Sequence, residues 1–299
     1  MRRRNSKGQI LVVMSLAVVT LVGAMSLAID TGVVYYNWML LQKAADAAVL
    51  AGATYLPSDP ASATSAVNTF VMSNGVQPSE IVSVAVLNGN TSVTVSLRRT
   101  VPYYFAQLLG LTTGTVSASA TAGVQAVGSL TGLLPIGIDS RTSYTFGQPV
   151  MLMTGQYGPG NWGPLALGGT GASNFNYNLV NGYIGAINVG DMLSTETGLM
   201  TGPTRTAFDQ RLGAGINSDS SGTFANHTIT DQRILTVPII NYANINGQSE
   251  VPVMGFAELW LVSVDNKLTI STYFIQQVVS GTPSPTAQNY GAMSALLVH

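Results

Sequence analysis

The chain contains no cysteine, which excludes a disulfide framework, thiolate metal sites and a thiol nucleophile together. Histidine is almost as scarce, with only His227 and His299. Charged residues make up 8% of the chain, against about 25% in an average soluble protein. Four of the 12 basic residues, Arg2, Arg3, Arg4 and Lys7, precede Gly8, so eight basic residues face 13 acids from Gly8 onward, a net charge of -5. A phosphate-binding surface needs clustered Lys and Arg, so nucleic acid is not an expected partner. No GxSxG elbow, HExxH helix, EF-hand loop or fixed-period repeat occurs. The chain is instead rich in apolar material, 46% of its residues, together with 32 glycines and many Ser, Thr and Asn. That composition provides a core and a neutral, turn-rich surface.

One uncharged run stands out. Ile10 to Ile29 is long enough as a helix to cross the hydrocarbon layer of ~30 Å once. The cations at Arg2, Arg3, Arg4 and Lys7 predict a cytoplasmic N-terminus and a body on the other side of the membrane by the positive-inside bias. A cleaved signal peptide is the competing reading, but the run exceeds the usual core of ~7–15 residues. No helix breaker occurs before Pro57, so helical character is expected through Leu56. Ala24, Ala28 and Gly32 recur at four-residue spacing and outline a face that a second helix can approach closely. Tyr35, Tyr36 and Trp38 are placed as headgroup anchors.

The expected fold is α+β in three segments. Residues 1–56 hold the basic start, the transmembrane helix at about 10–29 and its helical extension. Residues 57–127 form a small α+β unit with a mainly antiparallel sheet, and 128–299 a β-rich, Gly/Asn-rich exported domain. In the middle segment, Asp59-Pro60 starts a helix that ends at Asn74-Gly75. Ile81 to Leu87 and Thr91 to Arg99 alternate as a hairpin around Asn88-Gly89-Asn90, Pro102 to Leu109 reads as a short helix, and Thr115 to Val124 as a third strand. Farther on, strands are expected at Val150–Met153, Ile234–Ile240, Val253–Val264 and Leu268–Val279, the last two turning at Asp265-Asn266-Lys267. Gly155–Gly190 and Asp191–Thr230 read as long loops, and Gly281–Gln288 as a linker before a mobile end.

Several residues carry a more specific pattern: the basic start with Gly8, then Leu27-Ala28-Ile29-Asp30 with Gly32, Tyr35 and Tyr36. It continues as Leu41-Gln42-Lys43-Ala44-Ala45-Asp46-Ala47-Ala48, running to Ala51-Gly52-Ala53. This segment resembles the N-terminus of TadG-like proteins of the Flp (tight-adherence) pilus-assembly family, and residues 57–127 are similar to the next segment of such proteins. The resemblance implies a membrane-anchored component whose partners are the lipid bilayer and other pilus-assembly membrane proteins or pilins, with no cofactor. Val13 stands fifth after Gly8, where processed pilins commonly carry glutamate, so the resemblance implies a retained anchor. Read from the residues alone, Ala44 to Ala53 is a strong helix former with small side chains that permit close packing, and Asp46 is placed to pair with Lys43.

Residues that could carry chemistry are few. Gly158-Pro159-Gly160-Asn161-Trp162-Gly163 spells GxGxxG but lacks the strand and helix that a phosphate cradle requires. His227 beside Asp231 reads as a hydrogen-bonded loop histidine, and the carboxylates Asp191, Glu196 and Asp209, the last near Arg211, lie in polar loops. The leading expectation is a non-catalytic structural or assembly component. The alternatives are an adhesin using Tyr157, Trp162, Phe175, Tyr177 and Tyr183, and an anchored hydrolase using Asp191 or Glu196.

Overall fold

Helix α1 (Lys7–Ala53) runs for 47 residues without interruption in the computed structural model, which describes residues 7–154, 158–196, 201–243, 245 and 248–298. Its two halves have different surroundings. From Ile10 to Ile29 every side chain is exposed except the half-buried Ser26. Above that, Asp30 is buried, and Leu41, Ala44, Ala45, Ala48, Val49 and Ala53 form a buried stripe at helical spacing. The upper half is therefore a core helix, whereas no residue from Ile10 to Ile29 belongs to the apolar core of the head.

Helix α2 (Pro60–Ser73) starts where Asp59 Oδ1 accepts the Ser62 N–H at 2.9 Å and Pro60 occupies the first turn. It stops at Gly75, whose φ of +81° suits glycine. Ala63, Val67 and Val71 are its buried face. Gly52 allows the two helices to meet: a Cβ there would sit 2.5 Å from Val67 Cγ2 and 2.9 Å from the Ala63 carbonyl oxygen.

Strands β1 (Ile81–Leu87) and β2 (Ser92–Pro102) form the expected hairpin, with positive φ at Asn88, Gly89 and Asn90. β2 then pairs along its whole length with β3 (Thr113–Leu130), from Ser92 opposite Gly123 to Pro102 opposite Thr113. This pairing shortens the helix expected at Pro102–Leu109 to a single 3-10 turn, Ala106–Leu109, because Pro102 is still part of the ladder.

The chain continues through β4 (Ile136–Asp139), β5 (Pro149–Leu152), β6 (Trp162–Pro164), α3 (Ala172–Asn181), β7 (Ile187–Asn188), β8 (Met192–Ser194) and α4 (Thr201–Ser218). It ends with β9 (Ile234–Ile240), β10 (Glu250–Val264), β11 (Ile270–Ile275), β12 (Gln277–Val278), β13 (Thr282–Pro283) and β14 (Ala292–Val298). The two segments read as long loops therefore contain helices. Low intrinsic propensity hid them, and burial of Phe175 and Leu179 in α3 and of Ala207 and Phe208 in α4 overrides it. The stretch read as a linker with a mobile end is corrected too: β13 and β14 both pair with β3.

Among the described residues the first sheet runs β1-β2-β3-β14-β12, with β7 and β13 also on β3. The second runs β5-β11-β10-β9-β4-β6, with β8 on β10. Pairing is antiparallel except for β12 with β14 and β4 with β9. The fold is α+β with a β-rich C-terminal region. Residue 127 falls inside β3, and Val127, Leu130, Phe256 and Ala292 belong to one apolar cluster that joins the two sheets.

Candidate functional site at the membrane-proximal neck

Strand β2 descends alongside α1, and a set of polar contacts fixes the two together. At the top, Val93 lies beside Gly52. Lower down, Gln42 Nε2 donates to Asp46 Oδ1 at 2.8 Å and to the Ser119 carbonyl at 3.0 Å, tying helix to sheet. Asp46 thus takes its hydrogen bond from Gln42, not from the expected Lys43. Ala44, Ala45 and Ala48 are buried under the sheet while Ala47 faces outward, so three of the four alanines in the motif are needed for close approach.

The next tie centres on Arg99. Its Nε and Nη2 donate to Glu80 Oε1 and Oε2 at 2.6 and 2.9 Å, Nη2 to the Gly75 carbonyl at 3.1 Å, and Nη1 to Asn37 Oδ1 at 3.4 Å. One guanidinium therefore links β2, the end of α2 and α1. The hydrogen-bonded Arg99 holds the Glu80 carboxyl below the ordinary glutamate value, against the opposing effect of burial.

At the lower end of the head, Asp30 closes the turn between β2 and β3. Its Oδ1 accepts the Tyr104 N–H at 2.8 Å and its Oδ2 accepts those of Phe105 and Ala106 at 3.1 and 2.7 Å. A carboxylate can satisfy several donors at once, which suits three consecutive backbone N–H groups with no strand partner. Sequence reasoning found Asp30 through its place in a motif, but nothing in the sequence pointed to a partner 74 to 76 residues away.

The other residues singled out in the sequence are placed outside this set of ties. Ala24, Ala28 and Gly32 are exposed, and nothing lies within 4 Å of a Cβ built on Gly32. Tyr35, Tyr36 and Trp38 are exposed, with the Tyr35 and Trp38 rings 5.8 Å apart. Lys7 and Gly8 open α1. Arg2, Arg3, Arg4, Tyr157 and His299 lie outside the described residues.

The chemistry candidates in the head are used structurally. Glu196 Oε1 accepts the Gly171 N–H at 2.8 Å where α3 begins, and Asp191 Oδ2 accepts the Asn188 N–H at 2.7 Å. Asp191 also borders a groove of about 320 Å³ lined by Leu167, Tyr183, Ile187 and Leu193. Asp209 pairs with Arg205 at 2.8 Å, one helical turn away. Arg211 is instead buried, donating to the Leu179, Val180 and Ile234 carbonyls at 3.2, 2.7 and 2.8 Å, at the negative end of α3. His227 lies within hydrogen-bond reach of the Thr223 carbonyl and Gln277 Oε1, at 3.0 and 3.1 Å, and its ring sits 5.0 Å from that of Trp260. Trp162 and Phe175, two of the proposed ligand-binding aromatics, are core residues; Trp162 Nε1 donates to the Leu268 carbonyl at 3.0 Å. Gly158 to Gly163 turns into β6 with no helix behind it. Among the described residues no cluster of three or more His, Asp or Glu is arranged to hold a metal ion.

Sequence reasoning overlooked Glu258. It is fully buried on β10, accepts the Thr236 hydroxyl at 3.2 Å, and burial pushes its carboxyl up to about 8, partly opposed by Thr236 and Arg211. Its neighbours on β10 are so apolar that periodicity gave it no prominence.

Fold and neck together describe a protein with an exposed apolar helix, long enough to span a membrane, built directly into a β-rich head. Residues 8–54 match the Flp pilus-assembly TadE/G-like family, and residues 41–122 match the Tad-like Flp pilus-assembly family. The N-terminal region is thus similar to TadG-like proteins, and the two matches meet on the helical segment that packs under the first sheet. No curated protein and no solved structure matches the chain.

Proposed function

We propose that this protein is a non-catalytic, membrane-anchored structural or assembly component of a Flp-type pilus system. Its N-terminus lies on the cytoplasmic side of the bacterial inner membrane, and the head is displayed outside. The observation that carries this reading is the change along α1: exposed and apolar through Ile29, then tied to the head at Asp30 and buried along one face from Leu41, within the residues that the two family matches cover together. The charge placement before Gly8 supports the orientation.

The neck gives this role a physical basis. α1 is secured to the head at Asp30, Asn37, Gln42 and the alanine stripe, so the anchor and the head move as one body. A rotation or tilt imposed on the helix by a neighbour in the bilayer reaches the head without a flexible joint. The face of Ala24, Ala28 and Gly32 is the proposed docking surface for such a neighbour, because small side chains let backbones approach closely in lipid.

The native chain has no cysteine, so single-cysteine variants report position cleanly. Ala28→Cys in intact cells is expected to crosslink to membrane components of the pilus machinery, while Val19→Cys, on the opposite side of the helix at about 100° per residue, crosslinks several-fold less. Equal yields at the two positions refute the docking face. A head cleaved by protease added from the cytoplasmic side of inverted vesicles refutes the orientation.

A further inference from the structure

We infer that the turn between β2 and β3, residues 103–112, is a second membrane contact that rests on the headgroup and acyl boundary beside the anchor helix. This inference rests on the reading of α1 as a membrane anchor and adds a surface to it.

The height of the turn is set by its register against α1. Val93 is level with Gly52, Arg99 with Asn37, and the amides of Tyr104 to Ala106 with Asp30. Descending β2 is therefore descending α1, and from Gly52 to Asp30 the drop is about 33 Å at 1.5 Å per residue. The turn is the lowest part of the head on that line. Immediately below Asp30 the exposed apolar span begins at Ile29.

The side chains the turn presents are those of an interfacial contact. Leu108 is 86% exposed, Tyr104 61% and Leu111 57%, and no charged residue occurs between Arg99 and Asp139. Such a cluster at a loop tip is out of place in water but suits the boundary where leucine enters the acyl region and tyrosine remains at the headgroups. A second set of exposed aromatic residues stands just above that level. Tyr35 and Tyr36 are exposed on α1 about 8–9 Å above Asp30 by the same rise per residue, at the outer edge of a headgroup layer of ~5–7 Å per side, and Trp38 follows about 12 Å above Asp30. The turn is therefore continuous with the surface that α1 already presents to lipid. With Asp30 joining the two, the head stands on two points, and its tilt relative to the membrane is fixed.

The test uses the full chain, reconstituted in phosphatidylcholine and phosphatidylglycerol vesicles, with a polarity-sensitive fluorophore on one cysteine at a time. Val19→Cys probes the anchor, Leu108→Cys and Leu111→Cys the turn. Leu87→Cys is the control: it is exposed on the same sheet, paired with Ser92 next to the Gly52 level. Lipids carrying quenchers in the upper acyl chain are expected to quench Val19 and both turn positions at least threefold more than Leu87, with blue-shifted emission. Quenching at Val19 with both turn positions no more quenched than Leu87 overturns the second contact and leaves the anchor standing. No quenching at Val19 overturns the anchor and the contact with it.

Discussion

The lower half of the head and the upper half reach stability by different means. Below, one long helix lies under a sheet of small side chains, and Asp30, Gln42 and Arg99 hold it through polar contacts spanning large sequence separations. Above, two short helices cover a sheet packed with Trp162, Phe208, Phe256 and Phe274, with Glu258 and Arg211 buried among them. A helix lying that close to a sheet needs Ala and Gly at its tightest contact points, with Leu41 and Val49 filling the wider gaps, so the lower half has a narrow pattern that a family comparison can match. The upper half fills its core with large side chains, which many sequences can do equally well.

The comparison can be broken from above. Trp162→Ala removes a fully buried indole together with its hydrogen bond to Leu268, and the expected loss is about 3–5 kcal/mol. Denaturant unfolding with hydrogen exchange on the same sample should show that loss in β9 to β11, while β1 and β2 keep their protection. Equal loss in both regions would mean that the shared β3 and β14 make one cooperative unit and that the division is only architectural.

From below, Asp30→Ala takes one carboxylate away from three amides. Part of the turn can rehydrate, so the expected loss is about 2 kcal/mol, and Asp30→Asn should lose about half of that because one oxygen remains. Exchange at Tyr104, Phe105 and Ala106 should accelerate in both variants, with β9 to β11 unchanged.

Legibility in the sequence divides along the same line. The apolar span, α2 with its Asp59 cap, the first hairpin and strands β9 to β11 each obey a local period or carry a local stop signal. The misses needed information from far along the chain. α3 is rich in Asn and α4 carries several Gly and Thr, and both are helical because Phe175 and Phe208 are buried. The final strand β14 reads as a tail until its partner, Thr121 to Ala126, is known. The neck was half legible: its helix-side residues stood out as a motif and the 103–112 turn read as a short helix, but Arg99 and Glu80 had no signal of their own.

Protons offer a finer separation of the two regions, because the half-buried Glu80 and the buried Glu258 are shifted in opposite directions. Glu258 retains its proton up to about 8 in the folded chain, whereas an ordinary glutamate loses it near 4.5. The stability it contributes is fully present below about 4.5 and is lost as pH rises toward 8, so Glu258→Gln should flatten that decline in the upper half. Glu80 is held below 4.5 by Arg99. Its contribution is fully present above the ordinary value and is lost as pH falls through the depressed one. Glu80→Gln leaves the guanidinium a neutral partner, and the expected loss near pH 7 is about 1 kcal/mol, vanishing in acid. Exchange profiles of β1–β2 and of β9–β11 recorded across the pH range should therefore slope in opposite senses. Parallel slopes would show that neither glutamate controls its own region.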